Sequence, residues 1–180
     1  MPPIKKIILY GPESCGKTTL AKTLAKAYNT TWAPEYMRTY LQKKWDDTKR
    51  TCEKKDIEPI TRGQLHVETQ ALAKANTFLF CDTSVMQLVV YSKFYYNNWL
   101  PKYLENALNN MVLEQPQPHY FLTYYDTPWV ADALRDKPFE RDSMFTLFET
   151  ALQTYNLPYT ILKGSLPSRI ETAKAILKKL

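Results

Sequence analysis

Gly11-Pro12-Glu13-Ser14-Cys15-Gly16-Lys17-Thr18 lies between two segments of different periodicity. The run before it, IKKIILY (about 4–10), is apolar and β-branched and ends at a glycine, as a buried strand does. The run after it, about 17–28, carries Leu20, Leu24 and Tyr28 at four-residue spacing, one face of a helix. A turn with two glycines, a lysine and a hydroxyl therefore joins a strand to a helix.

That context separates a phosphate loop from an ordinary glycine-rich turn, and Gly11-x-x-x-x-Gly16-Lys17-Thr18 matches the phosphate-loop pattern in full. Gly11 lets the chain leave the strand sharply, and Gly16 keeps a Cβ out of the way of the ligand. Consecutive N–H groups then face one concavity, to which the helix adds its positive end. Gly11, Glu13, Ser14, Cys15, Gly16, Lys17, Thr18 and Thr19 are the residues expected to bind the nucleotide. Lys17 reaches the β- and γ-phosphates, and the Thr18 hydroxyl is a ligand for Mg²⁺. The expected ligand is the triphosphate of a nucleotide, with ATP and Mg²⁺ as the default pair. Cys15 is read as a small filler, with a redox handle as the alternative.

Further along, TTWAPEY (30–36) reads as a short strand ending at Pro34-Glu35. Residues about 37–58 start helical and turn charged, the second half a solvated excursion. Thr61 is placed to cap a helix over about 62–76, with Leu65, Leu72 and Ala75 on its apolar side. TFLFCDTS (77–84) and HYFLTYYD (119–126) are apolar strands that each run to an aspartate, with helices over about 85–96 and after Pro101 between them. A helix over about 142–155 presents Met144, Leu147, Phe148, Ala151 and Leu152. PYTILKG (158–164) is a fifth strand, and the last sixteen residues form a helix with Pro167 near its start. Alternating strands and helices imply an α/β fold: a five-stranded parallel sheet with helices on both faces, three layers in a single domain over 1–180.

Composition bounds the function. At 180 residues the chain can bury a substantial core. The 24 Lys and Arg against 18 Asp and Glu favour anionic ligands, but they are scattered and form no nucleic-acid tail. Cys15, Cys52 and Cys81 form no disulfide framework, and His66 and His119 stand far apart, so a reducing cytoplasm fits and a structural zinc site does not. No apolar run is long enough to span a membrane, and the N-terminal one is too short for a secretory signal. Small-molecule substrates are expected rather than nucleic acid or membrane; a homo-oligomer is left open.

In an open parallel sheet, ligands collect beyond the carboxyl ends of the strands. Glu35, Asp82 and Asp126 fall at such ends. Asp82, after an apolar run, is expected beside the metal, with a helix N-cap as the alternative reading. Glu35, near Arg38 and several aromatics, suits a proton acceptor or sugar-binding group; a surface Glu–Arg pair is the alternative. Asp126 is read as a turn or cap residue. The polar stretch of about 127–143 is read as a lid whose Arg135 and Arg141 close over the phosphates. Tyr91, Tyr95, Tyr96 and Trp99 offer a stacking surface or simple packing, and Arg62 and Gln64 an acceptor contact or a solvated helix start.

GPESCGKTTLAKTLAKAYNT with APEYMRTYL, FLFCDTS, YDTPWVADALRDKPFER and LPYTILKGSLPSRIETAKAIL together resemble the ribosylnicotinamide kinase domain of NadR-type proteins, a branch of the P-loop kinases. The Glu-Tyr-x-Arg segment and the Trp-Val-x-Asp-x-Leu-Arg lid pattern are its particular signals. The resemblance implies transfer of the ATP γ-phosphate to the 5′-hydroxyl of N-ribosylnicotinamide, giving nicotinamide mononucleotide for NAD salvage. It implies phosphates and Mg²⁺ at Lys17 and Thr18, metal and acceptor by Asp82 and Glu35, a lid carrying Arg135 and Arg141, and adenine near the segment after Gly164. NadR-type proteins often carry an adenylyltransferase domain with a His-x-Gly-His signature. Neither histidine here sits in one, so the second step to NAD is not expected of this chain. The competing expectations are a kinase for another nucleoside or small metabolite, and an ATP-binding regulatory module that hydrolyses ATP slowly.

Overall fold

The computed structural model describes residues 3–130 and 140–180. Five strands, β1 (Lys5–Tyr10), β2 (Trp32–Ala33), β3 (Phe78–Asp82), β4 (His119–Thr123) and β5 (Tyr159–Leu162), form one parallel sheet in the order β2-β3-β1-β4-β5. Among the described residues seven helices connect and cover them: α1 (Lys17–Ala27), α2 (Tyr36–Thr48), α3 (Ile57–Leu72), α4 (Val85–Tyr95), α5 (Lys102–Val112), α6 (Arg141–Thr154) and α7 (Leu166–Leu177). Among the described residues no helix is long and apolar enough to cross a membrane.

Alternation along the strands explains why both faces are covered. Ile8 and Tyr10 of β1, Leu79 and Cys81 of β3, and Tyr120 and Leu122 of β4 share one core with α3, α4, α5 and α6. Ile7, Leu9, Phe78, Phe80 and Phe121 point the other way, into a second core with α1 and α7. Side chains that alternate about the pleat are thus apolar at nearly every position, so these strands read as unbroken hydrophobic runs. The three-layer arrangement is the expected one.

Several local expectations are corrected. β2 is only two residues long and stops at Pro34, which has no N–H to donate to a ladder. α3 begins five residues before the expected start: Thr61 lies inside it and donates to the Ile57 carbonyl at 2.7 Å. The face α3 buries is Ile57, Ile60, Thr61, Gln64, Glu68 and Ala71, while Leu65 is exposed. The polar members are satisfied internally: the Lys6 ammonium bonds Glu68, and Gln64 Nε2 donates to Glu68 at 3.1 Å. The supposed solvated excursion ends in a fixed 3₁₀ turn, Lys54–Asp56, whose Asp56 is buried and accepts from Lys44 (2.5 Å), Tyr40 (3.1 Å) and the Glu53 N–H (2.7 Å). β4 stops three residues short of Asp126, and Leu147 of α6 is exposed rather than in the core.

Candidate active site

Every strand is parallel, so the segments after β1, β2, β3, β4 and β5 leave the sheet on one side. The loop after β1 is the centre of that side. Gly11 sits at φ +133°, and a Cβ there would come within 2.8 Å of the Thr123 carbonyl oxygen, so no other residue fits. Gly16 caps α1 at φ +77°, a left-handed conformation that side chains resist. Lys17 is buried, its ammonium donating to the carbonyl oxygens of Gly11 (2.9 Å) and Pro12 (2.6 Å) over the loop.

The register pairs Leu9 with Asp82, which brings the end of β3 beside the start of the loop. Thr18 Oγ1 donates to Asp82 Oδ2 at 2.5 Å. Asp82 Oδ1 is buried and has no hydrogen-bond partner among the described residues. Burial pushes the Asp82 carboxyl above its usual range, opposed by the Thr18 hydrogen bond and the charges of Lys17 and Lys22. The helix-cap alternative for Asp82 falls away, because Ser84 caps α4, its hydroxyl accepting from the Met86 N–H. Between them Thr83 holds φ +74°, unusual for a β-branched residue, in a turn tied to β1 by its N–H on the Leu9 carbonyl at 2.9 Å.

The donor set at this point suits a hard dication that keeps most of its shell as water and phosphate oxygen. It offers one hydroxyl and one carboxylate with an unsatisfied buried oxygen.

Glu35 stands at the N-cap position of α2, and its Oε1 accepts from Gln87 Nε2 at 2.8 Å. Burial raises its carboxyl above the ordinary value; Lys17 pulls it down, Asp82 pushes it up, and the Gln87 hydrogen bond and Arg38 pull it down. The loop, Glu35, Met37, Arg38, Gln87 and Tyr91 line one cleft with an empty volume of about 750 Å³. Of the four expected stacking aromatics only Tyr91 borders this cleft, and its ring is packed edge-on against Phe148 and Tyr95. Tyr96 and Trp99 pack on each other and under Lys54. Arg62 is exposed and paired with Glu58, and Gln64 faces the Tyr36 N–H, so neither lines the cleft.

Arg141 begins α6, and its guanidinium donates to the Thr127 carbonyl (2.8 Å) and to the Ser14 carbonyl (3.3 Å). Thr127 Oγ1 also donates to the Ser14 carbonyl at 2.7 Å, and Val130 N–H to Ser14 Oγ at 2.9 Å. The described ends of the segment read as a lid are therefore stitched to the phosphate loop. Arg135 falls in 131–139, outside the described residues. Cys15 is buried, its Sγ donating to the Glu13 carbonyl, as a filler would be.

Two residues escaped the sequence reading. Gln87 is a polar side chain buried in the apolar first two turns of α4, which is its sequence signal. Arg169 is 2% exposed, on the α7 face it shares with Ala173 and Leu177 at four-residue spacing. A charge in an apolar register was the overlooked clue. Asp126, read as a turn residue, pairs with Arg169 and accepts the Gly164 N–H at 2.6 Å.

Residues 6–169 match the AAA_28 family model, described as AAA domain. The chain is 27% identical over 162 residues to the trifunctional NAD biosynthesis/regulator protein NadR of Salmonella typhimurium, covering 89% of this chain. To the Escherichia coli protein of the same name it is 30% identical over 132 residues, 73% of this chain. It spans 38% and 31% of the lengths of these relatives. Among solved structures, a NadR protein in complex with NR, and also in complex with NAD and AMP-PNP, superposes with a TM-score of 0.75 at 21% identity over 98% of this chain and 49% of that one. At that identity the likeness is one of fold.

Proposed function

The chain belongs to the AAA_28 family of AAA domains, and from that premise we propose that it is an ATP-dependent kinase. It transfers the γ-phosphoryl group to the 5′-hydroxyl of N-ribosylnicotinamide, giving nicotinamide mononucleotide for NAD salvage in the cytoplasm. The observation that carries the reading is a cleft lined by the phosphate loop and the carboxylate of Glu35, with a second carboxylate, Asp82, bonded to the loop's Thr18. The two carboxylates supply a metal-side acid and a base for an acceptor hydroxyl, the pair that phosphoryl transfer uses. The NadR relatives and the NR complex support the acceptor, and the AMP-PNP complex supports the donor.

The geometry of the described residues supports the following roles, and the lid reading adds one. The amides from Glu13 to Thr19 and the Lys17 ammonium hold the phosphates. Thr18 and Asp82 would hold Mg²⁺, which when bound offsets charge on the β- and γ-phosphate oxygens. Glu35, kept near Lys17 and oriented by Gln87, takes the proton of the attacking 5′-hydroxyl as the new O–P bond forms and the bond to ADP breaks. Arg141 braces the loop and lid, and Arg135 belongs to the same proposal as a lid cation over the transferring group.

A coupled ADP-release assay over a panel of nucleosides tests this. Ribosylnicotinamide should stimulate ADP release far above the water background. Turnover with other nucleosides alone reassigns the acceptor, and no stimulation by any acceptor overturns the kinase reading.

A further inference from the structure

We infer that Arg169 is a positioning residue for the phosphate loop: held by Asp126, its guanidinium fixes the Cys15 carbonyl on the outer side of the loop and so aims the Gly16 N–H inward. The inference rests on the reading that this loop binds ATP.

Arg169 reaches three separate chain segments. Nη1 donates to the Cys15 carbonyl at 2.7 Å, Nη2 to the Tyr124 carbonyl at 2.9 Å, and Nε to the Gly164 carbonyl at 3.0 Å. Nη2 also pairs with Asp126 Oδ1, while Asp126 Oδ2 accepts the Gly164 N–H at 2.6 Å. Burial works to raise the Asp126 carboxyl, but the Gly164 N–H and Arg169 outweigh it and hold it below its ordinary value. A buried cation is costly unless its donors are satisfied, and here the acceptors are almost all main-chain carbonyls.

The consequence lies in the peptide plane. In a trans peptide the C=O of Cys15 and the N–H of Gly16 point in opposite directions. A donor anchored in the α7–β4 wall that holds the carbonyl outward turns the amide toward the concavity, where Gly16 at φ +77° already opens α1. Lysine cannot reproduce this, because a single ammonium does not span three carbonyls in fixed directions. Arg169 also borders a smaller cleft with Thr19, Thr127 and Leu166, so the test must separate the loop from a base lodged there.

Calorimetry on the full chain with Mg·ATP and, separately, with inorganic tripolyphosphate makes that separation, for wild type, Arg169→Lys and Asp126→Asn, each well below its Tm. Arg169→Lys should weaken both ligands by about ten- to hundredfold, the scale of a lost charged hydrogen bond, at unchanged stoichiometry. Asp126→Asn should weaken both by a smaller factor, and it carries the test if Arg169→Lys does not fold. Weakening of ATP without weakening of tripolyphosphate overturns the inference, since Arg169 would then serve the base. Variant affinities within twofold of wild type overturn it too, as a purely structural residue would give. Wild type that binds neither ligand overturns the kinase reading and this inference together.

Discussion

Thr18 donates its hydroxyl hydrogen to Asp82 at 2.5 Å, so the residue after the loop lysine and the acid that ends β3 are one unit. The other Asp82 oxygen is buried and unpartnered among the described residues. Asp82→Asn preserves shape and an acceptor for Thr18 but removes the charge. The Mg²⁺ concentration for half-maximal rate should rise about ten- to hundredfold, with Tm nearly unchanged. A Mg²⁺ dependence identical to wild type would remove Asp82 from the metal.

Glu35 must be ionised to accept a proton, and its carboxyl sits above the usual range because it is buried. The acid limb of kcat/KM should therefore reflect a group above the ordinary glutamate value. The Gln87 hydrogen bond stabilises the carboxylate, so Gln87→Leu should raise that value further and move the limb to higher pH. Glu35→Gln should remove the limb and lower kcat by about 10²–10⁴. A pH profile unmoved by either change would take Glu35 out of the proton transfer.

Much of this side of the molecule was legible because its physics is local. A phosphate loop needs glycine at fixed spacing, and short apolar runs rich in β-branched and aromatic residues suit strands buried on both faces. Where reading failed, tertiary partners had overridden local pattern. Gln64 and Glu68 look like a solvent face but answer Tyr36 and Lys6, and Asp56 looks solvated but sits between Lys44 and Tyr40. Arg169 could not be given a role before β4, β5 and the loop were brought around it.

Asp56 anchors the connection between α2 and α3, and its removal leaves the half-buried Lys44 with Glu53 alone and the Tyr40 hydroxyl and Glu53 N–H without their acceptor. Asp56→Ala should cost about 1–3 kcal/mol in urea unfolding, the range for leaving buried hydrogen-bonding groups unsatisfied. A loss under about 1 kcal/mol would show that the cluster is effectively solvated.

His119 is buried beside Phe121 and Thr160, and burial with the nearby Lys5 charge lowers its value from 6.5 to about 4. Between those values the unfolded chain binds a proton that the folded one does not. This contribution is full above about 6.5 and shrinks as pH falls toward 4. Carboxyls raised by burial, such as Glu68, act in the opposite sense, so the comparison must be with His119→Gln. The wild-type advantage over the variant should decline from pH 7 to pH 4 by an amount on the order of 2–3 kcal/mol. A difference independent of pH would mean that His119 titrates alike in both states.

The central claim is that the terminal phosphate of ATP ends on the acceptor. ATP labelled in its γ-phosphoryl group, incubated with ribosylnicotinamide and Mg²⁺, followed by mass analysis of products, tests it most directly. The account predicts labelled nicotinamide mononucleotide from wild type and none from Lys17→Ala. Label recovered only as inorganic phosphate, with the nucleoside unchanged, would contradict it.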